Sequence, residues 1–233
     1  MAAVSDGIVV VTSCTATKFE APPNGKPGGL RTAESLYAGQ QHLRLMRGVR
    51  AYRRAGSPAG PLKLRILSAG HGLLASRATV TSYDATFQGL PREVIRARAA
   101  DLDVPAKLGR LLRSPYRLAL LLLGDDYLEA AGLDAVAAWG GPALALCGPR
   151  SGLRLKAIDE LAVTTLSNSE ARRFGCGLVS LKGELGGRAL QSLAGTPDSL
   201  DELSDPQLNL LDWMDEAPPT ADRAPGLRAQ ASN

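Results

Sequence analysis

The chemistry open to this 233-residue chain is concentrated in a few short polar stretches that follow apolar runs. One is Ser68-Ala69-Gly70-His71-Gly72. Glycine permits tight turns and close approach of a ligand to the backbone. An imidazole between two glycines can donate to a carbonyl or phosphate, or exchange a proton near neutral pH; it would equally serve to cap the loop. Tyr83-Asp84 follows further on. A buried carboxylate beside an apolar wall can direct water or stabilise positive charge developing on a sugar. The same Asp84 would also suit an Asx turn ahead of a helix introduced by Pro91. Asp125-Asp126-Tyr127 comes directly after the strongest apolar run. Adjacent acids there divide between a helix N-cap and a functional carboxylate, and the order of residues does not say which is which. Tyr37 and Tyr127 can stack on a base or fill a core. Ser13-Cys14 offers a nucleophile, with no partnered base at a known spacing.

Cations add a second theme. Arg44, Arg47, Arg50 and Arg54 recur at helical spacing and, with Lys18, Arg31 and Arg92, would make a phosphate-facing band or a solvated face. Of the 27 basic residues 21 are arginine, the side chain suited to bidentate recognition of phosphate and carboxylate. A GC-rich genome would produce the same bias. The net charge of +4 permits nucleic-acid binding without requiring it. The chain has no P-loop, GxGxxG, GxSxG or HExxH motif, so nucleotide hydrolysis, dinucleotide redox chemistry and zinc catalysis lack support. Cys14, Cys147 and Cys176 show no CxxC pairing and no metal-ligand spacing with the histidines. Neither a metal nor a cofactor is expected.

The elements that must position these residues read as follows. Ile8 to Val11 is a β-branched run, and Leu62 to Leu67 alternates. Leu118 to Leu123 is the clearest buried strand, and Ala143 to Leu146 is a fourth. Each empties into a polar or glycine-containing segment. Helical patterns span 32–54, 91–113 (with Pro105 able to divide it) and 125 to about Trp139, and 155–194 reads as mostly helical. Leu208 to Met214 adds a short amphipathic piece. Residues 21–31, with three prolines and three glycines, predict an exposed connection. Strands alternating with helices predict a single three-layer α/β domain over 1–214, its central sheet mostly parallel and flanked by helices. Ligands in such sheets bind beyond the carboxyl ends of the strands. From residue 215 onward, prolines and small residues predict a disordered tail. The sparse, odd cysteine set predicts reduced thiols in a cytoplasm. No signal-peptide pattern opens the chain, and Leu118 to Leu123 is too short to span a bilayer, so no membrane role is expected.

In order along the chain stand Ser13-Cys14 with Lys18, Glu34-Ser35-Leu36-Tyr37, Leu67-Ser68-Ala69-Gly70-His71-Gly72-Leu73-Leu74, Tyr83-Asp84 and Gly124-Asp125-Asp126-Tyr127. The set resembles a YaaA-like family of bacterial and phage proteins, over about residues 8–130. Thr15-Ala16-Thr17 stands where that family has basic residues. The resemblance implies a pocket lined by Ser13, Tyr37, Ser68, His71, Tyr83 and Asp84, and a link to DNA binding, stress protection or removal of modified bases. The resulting expectation is a DNA N-glycosylase acting on a modified base, as in hypermodified phage DNA. Asp84, His71 and Asp126 would be its catalytic residues. Ser13, Cys14, Tyr37, Ser68, Gly70, Gly72, Tyr83, Asp125 and Tyr127 would hold the substrate. Lys18, Arg31, Arg44, Arg47 and Arg92 would hold the DNA backbone. The alternatives are a non-enzymatic DNA-binding stress protein and a hydrolase or transferase of free nucleosides or nucleotides.

Overall fold

The computed structural model describes residues 6–19 and 29–216. In chain order they form β1 (Ile8–Ser13), β2 (Arg31–Thr32), α1 (Ala33–Leu36), α2 (Gln40–Arg54), β3 (Leu62–Ser68), β4 (Gly72–Ala75) and β5 (Thr79–Val80). There follow α3 (Arg92–Asp101), α4 (Val104–Arg113), β6 (Leu118–Leu122), α5 (Asp125–Ala131), β7 (Ala143–Cys147) and α6 (Pro149–Leu155). The chain continues through β8 (Leu161–Thr165), α7 (Asn168–Arg173), α8 (Leu178–Gly195), α9 (Ser199–Leu203) and α10 (Leu210–Glu216).

β1, β6 and β7 are buried at every residue, which is why they read as continuous apolar runs rather than as alternating strands. Successive side chains still point to opposite faces. Val9, Val11, Ala119, Leu121 and Ala145 meet a layer containing α1, α3, α4 and α5. Ile8, Val10, Leu120, Leu144 and Leu146 meet α2 and α7 to α10. One sheet with helices on both faces is the three-layer α/β arrangement that the strand–helix alternation predicts.

The sheet has six strands in the order β4-β3-β1-β6-β7-β8. The hairpin β3–β4 is antiparallel, and every other neighbouring pair is parallel. From β1 the chain steps outward to β3, then returns to place β6 on the other side of β1. That reversal opens a crevice at the carboxyl ends of β1 and β6, the place where such sheets bind ligands. Among the described residues no helix is long and apolar enough to cross a membrane.

Four elements differ from the sequence reading. The helix expected over 32–54 is interrupted at Tyr37 to Gly39. There the backbone is taken by the loop after β1: Ala38 N–H donates to Thr17 O, and Gly39 N–H donates to Thr15 Oγ1. The division that Pro105 allowed in the helix over 91–113 is present, at Leu102-Asp103, and is no departure. The helix after Asp125 stops at Ala131, because Gly132 turns left-handed (φ 60°) and ends it. Residues 155–194 contain a strand, β8, which pairs with β7 as the sheet edge. Helix α10 continues through Glu216, past the expected start of the tail. The remainder of that tail, and most of the connection expected over 21–31, lie outside the described residues.

Helices α2 and α8 lie on the same face and touch through glycines. A Cβ on Gly183 would stand 1.9 Å from Gln41 O, and one on Gly48 would stand 2.1 Å from Gly187 O. Only hydrogen atoms at these positions let the two backbones approach so closely. The contact seats Gln41 at the end of the sheet, where it enters the site.

Candidate active site

Three loops meet at the carboxyl ends of β1, β3 and β6. The first, after β1, lies across the interruption between α1 and α2, and Lys18 pairs with Tyr37 in an isolated antiparallel bridge. Extended backbone at Tyr37 follows from this pairing. In the second loop, Ser68 Oγ accepts hydrogen bonds from the Gly70 and His71 amides at 3.2 and 3.0 Å and donates to Tyr83 OH at 2.7 Å. Tyr83 OH lies 3.0 Å from Tyr37 OH. A Cβ on Gly70 would meet the Tyr83 ring at 2.4 Å, so the glycine is needed for that ring to sit over the turn.

Cys14 joins this chain of hydroxyls to the third loop. Its Sγ is 3.1 Å from Tyr127 OH, and it also neighbours Tyr83. Burial, with Cys14 and Tyr37 close by, drives the Tyr83 phenol far above its ordinary range. Burial acts the same way on Tyr127 and Tyr37. All three therefore remain neutral O–H groups across physiological pH and can donate as well as accept. Lys18 Nζ stands 4.4 Å from the centre of the Tyr83 ring, and His71 meets the same ring edge-on at 4.8 Å. His71 Nε2 is 3.2 Å from Thr81 O. On the β1 side, Gln41 Nε2 donates to Ser13 Oγ, Thr12 Oγ1 and Leu122 O at 3.2, 3.1 and 3.1 Å. This amide stitches β1 to β6 where the crevice opens.

The three carboxylates separate clearly. Asp84 is exposed, and it has no hydrogen bond or ion pair with the described residues, which corrects the expectation of a buried carboxylate against an apolar wall. It lies just past Tyr83 on a loop that runs outward toward α3. Asp126 accepts from the Gly89 amide at 2.9 Å and from Arg150 at 3.3 Å, so it ties the loop before α3 to α5. Asp125 differs from both. Its Oδ1 is buried and has no partner, while its Oδ2 is 3.8 Å from Arg150 Nε. Gly148 leaves the room: a Cβ there would approach Oδ2 to 3.1 Å. Burial, then the Asp125 charge, raises the Cys147 thiol to about 11. Burial lowers the Lys182 ammonium, while Asp125 and Cys147 oppose that shift.

Lys182 and Gln41 were not singled out in the sequence reading. The available signal for Lys182 was a lone cation in the N-terminal half of α8, where leucine, valine and glycine dominate. Tyr37 also departs from expectation. It is fully buried and meets His42 edge-on at 5.8 Å, so its ring has no open face for a base to stack on.

The expected basic band does not form. Arg44 and Arg47 belong to α2 on one face of the sheet, and Arg92 belongs to α3 on the other. Arg44 is tied to Glu184 of α8 at 2.7 Å. Arg31 lies in β2. Around α5 a different cluster appears. Glu129, its side chain only 9% exposed, accepts from Arg92 of α3 at 3.0 Å, from Arg96 of α3 at 2.5 Å and from Arg154 of α6 at 2.9 Å. Burial opposes ionisation of Glu129, but the three guanidinium hydrogen bonds outweigh it and bring its pKa to about 2, from 4.5. A folded-state pKa below the unfolded one gives stability that is present above pH 4.5 and lost as the pH falls toward 2. After screening at the exposed Arg92 and Arg96, the loss should be about 2 kcal/mol. Chemical denaturation at pH 5 and pH 2.5 should show it in the native protein, and Glu129→Gln should remove that part of the acid dependence.

Compared with protein-family models, with curated proteins and with solved structures, the chain matches none of them.

Proposed function

We propose that the protein is a DNA base-processing enzyme of the cytoplasm, an N-glycosylase that removes a modified base. The observation that carries the reading is that one sheet end holds both neutral hydroxyl donors and a carboxylate with an oxygen that has no partner. A planar heterocycle presents donors and acceptors along its edge, and Tyr83 and Tyr127 supply matching groups that do not ionise. Asp125 lies two residues before Tyr127, in the crevice beside β1. Asp125 lines a cleft, and its carboxylate suits either support of an oxocarbenium-like sugar or acceptance of a proton from attacking water. In the hydrolysis, water oxygen bonds to the anomeric carbon as the carbon–nitrogen bond breaks. The bonding pair leaves with the base, which takes up a proton. His71, beside Tyr83, would hydrogen-bond the departing base or an adjacent phosphate.

The motif resemblance to the YaaA-like group supports the same reading and suggests phage DNA as a source of modified bases. Alkaline cleavage tests it. Hypermodified phage DNA incubated with the protein should acquire alkali-labile abasic sites, and unmodified DNA should not. Intact DNA with salt-sensitive binding would favour an architectural DNA-binding protein instead. Cleavage of free nucleosides alone would favour a monomer hydrolase.

A further inference from the structure

The arginines around Glu129 have geometry beyond what holding α3, α5 and α6 together requires. Arg92 and Arg96 are 66% and 60% exposed, yet both are anchored to a carboxylate that is almost fully buried. An exposed ion pair contributes little to stability. One buried acid that holds three guanidiniums fixes their direction instead, and it leaves a surplus of positive charge at the surface. Each guanidinium has five N–H donors in a rigid fork, and the bonds to Glu129 use one donor apiece. A cleft of about 200 Å³ lies among Arg92, Arg150, Arg154, Ser151, Glu129 and the Asp125-Asp126 pair. It is therefore continuous with the carboxylate assigned above to the sugar. Arg150, 76% exposed, bridges Asp125 and Asp126 and screens these acids from an approaching anion.

We propose that Arg92 and Arg96, held by Glu129, form the clamp for a backbone phosphate next to the processed nucleotide. The expected band on α2 does not take this role. The inference rests on the base-processing reading and adds to it where the polymer lies: along α3 and α6, on the face opposite Arg44 and Arg47. A phosphate at this site could belong to a polynucleotide backbone or to a free nucleotide, and the geometry favours the backbone. Arg92 lines the cleft and Arg96, one turn further along α3, does not, so the pair reaches from the unit bound within the cleft toward a neighbouring unit of a chain.

The test uses the full-length protein and an Arg92→Gln/Arg96→Gln double variant. The variant leaves Glu129 to Arg154 alone, so the melting temperature should fall by several degrees, and binding is measured well below it. Binding of an unmodified oligonucleotide and of a mononucleotide is measured between 50 and about 200 mM salt, the range over which counterion release is read. The clamp predicts roughly tenfold weaker oligonucleotide binding and a salt slope shallower by about 1 for duplex, with the mononucleotide unaffected. A Glu129→Gln protein supplies the second arm. Charge alone would make it bind more tightly, because a negative group is gone; the clamp predicts weaker binding, because the arginines lose their anchor. An unchanged slope in the double variant overturns the clamp and leaves base processing standing. Equal loss for the mononucleotide overturns the backbone assignment. Failure of the wild type to bind any polynucleotide overturns the clamp and the DNA reading together.

Discussion

Asp125→Asn should slow base release about 1000-fold in single turnover, with DNA affinity changed by less than about threefold. The amide keeps the shape of the side chain and removes the charge that would support positive charge on the sugar. Its loss is confined to the transition state, so the rate constant falls and binding does not. Asp84→Asn should leave the rate within about threefold, since Asp84 is exposed and makes no hydrogen bond or ion pair with the described residues. Asp126→Asn should fall between the two, because Asp126 holds the Gly89 amide and so shapes the loop beside the cleft. Rapid-quench measurement of the three variants on one modified duplex gives the ranking. A rate lost in Asp84→Asn and kept in Asp125→Asn would move the chemistry to the second loop, beside His71.

Gly183→Ala should destabilise the protein by about 3 kcal/mol and lower its melting temperature by roughly 10 °C. The added methyl carbon would stand 1.9 Å from Gln41 O and 2.9 Å from Gln41 Cα. Both are backbone atoms of α2, so no side chain can rotate away. Relief requires the two helices to separate along the whole contact that covers Ile8, Val10, Leu118 and Leu120. Gln41 would move with α2 and release the amide that joins Ser13 to Leu122 O, so activity should fall beyond the loss of folded protein. Gly195→Ala, at the end of the same α8, is the control. Nothing lies within 4 Å of a Cβ there, and thermal unfolding should be unchanged. Equal melting temperatures for Gly183→Ala and the native protein would contradict the close helix contact.

The order of strands and helices was legible because buried parallel strands must be apolar along their whole length, as Leu118 to Leu122 is. β8 was not, since its sequence Leu161-Ala-Val-Thr-Thr borders helices and gains strand character only by pairing with β7. The position of Ser68, Tyr83 and Tyr127 at the sheet end was legible, because polar groups after buried strands must fall there. The choice among carboxylates was not. Whether Asp84 or Asp125 faces the crevice depends on where Tyr83 turns the loop, and neighbouring residue types do not encode that. The role of Arg44 was misread for a related reason. Helical spacing reveals which residues share a face, but not that Glu184, far along the chain, waits opposite them.

The central claim is that this sheet end breaks the bond between a modified base and its sugar. Mass spectrometry of the small molecules released from hypermodified phage DNA tests it most directly. The account predicts a free modified base that accumulates with native protein and is absent with Asp125→Asn. DNA that stays bound with every base in place, or release that proceeds equally in Asp125→Asn, would contradict it.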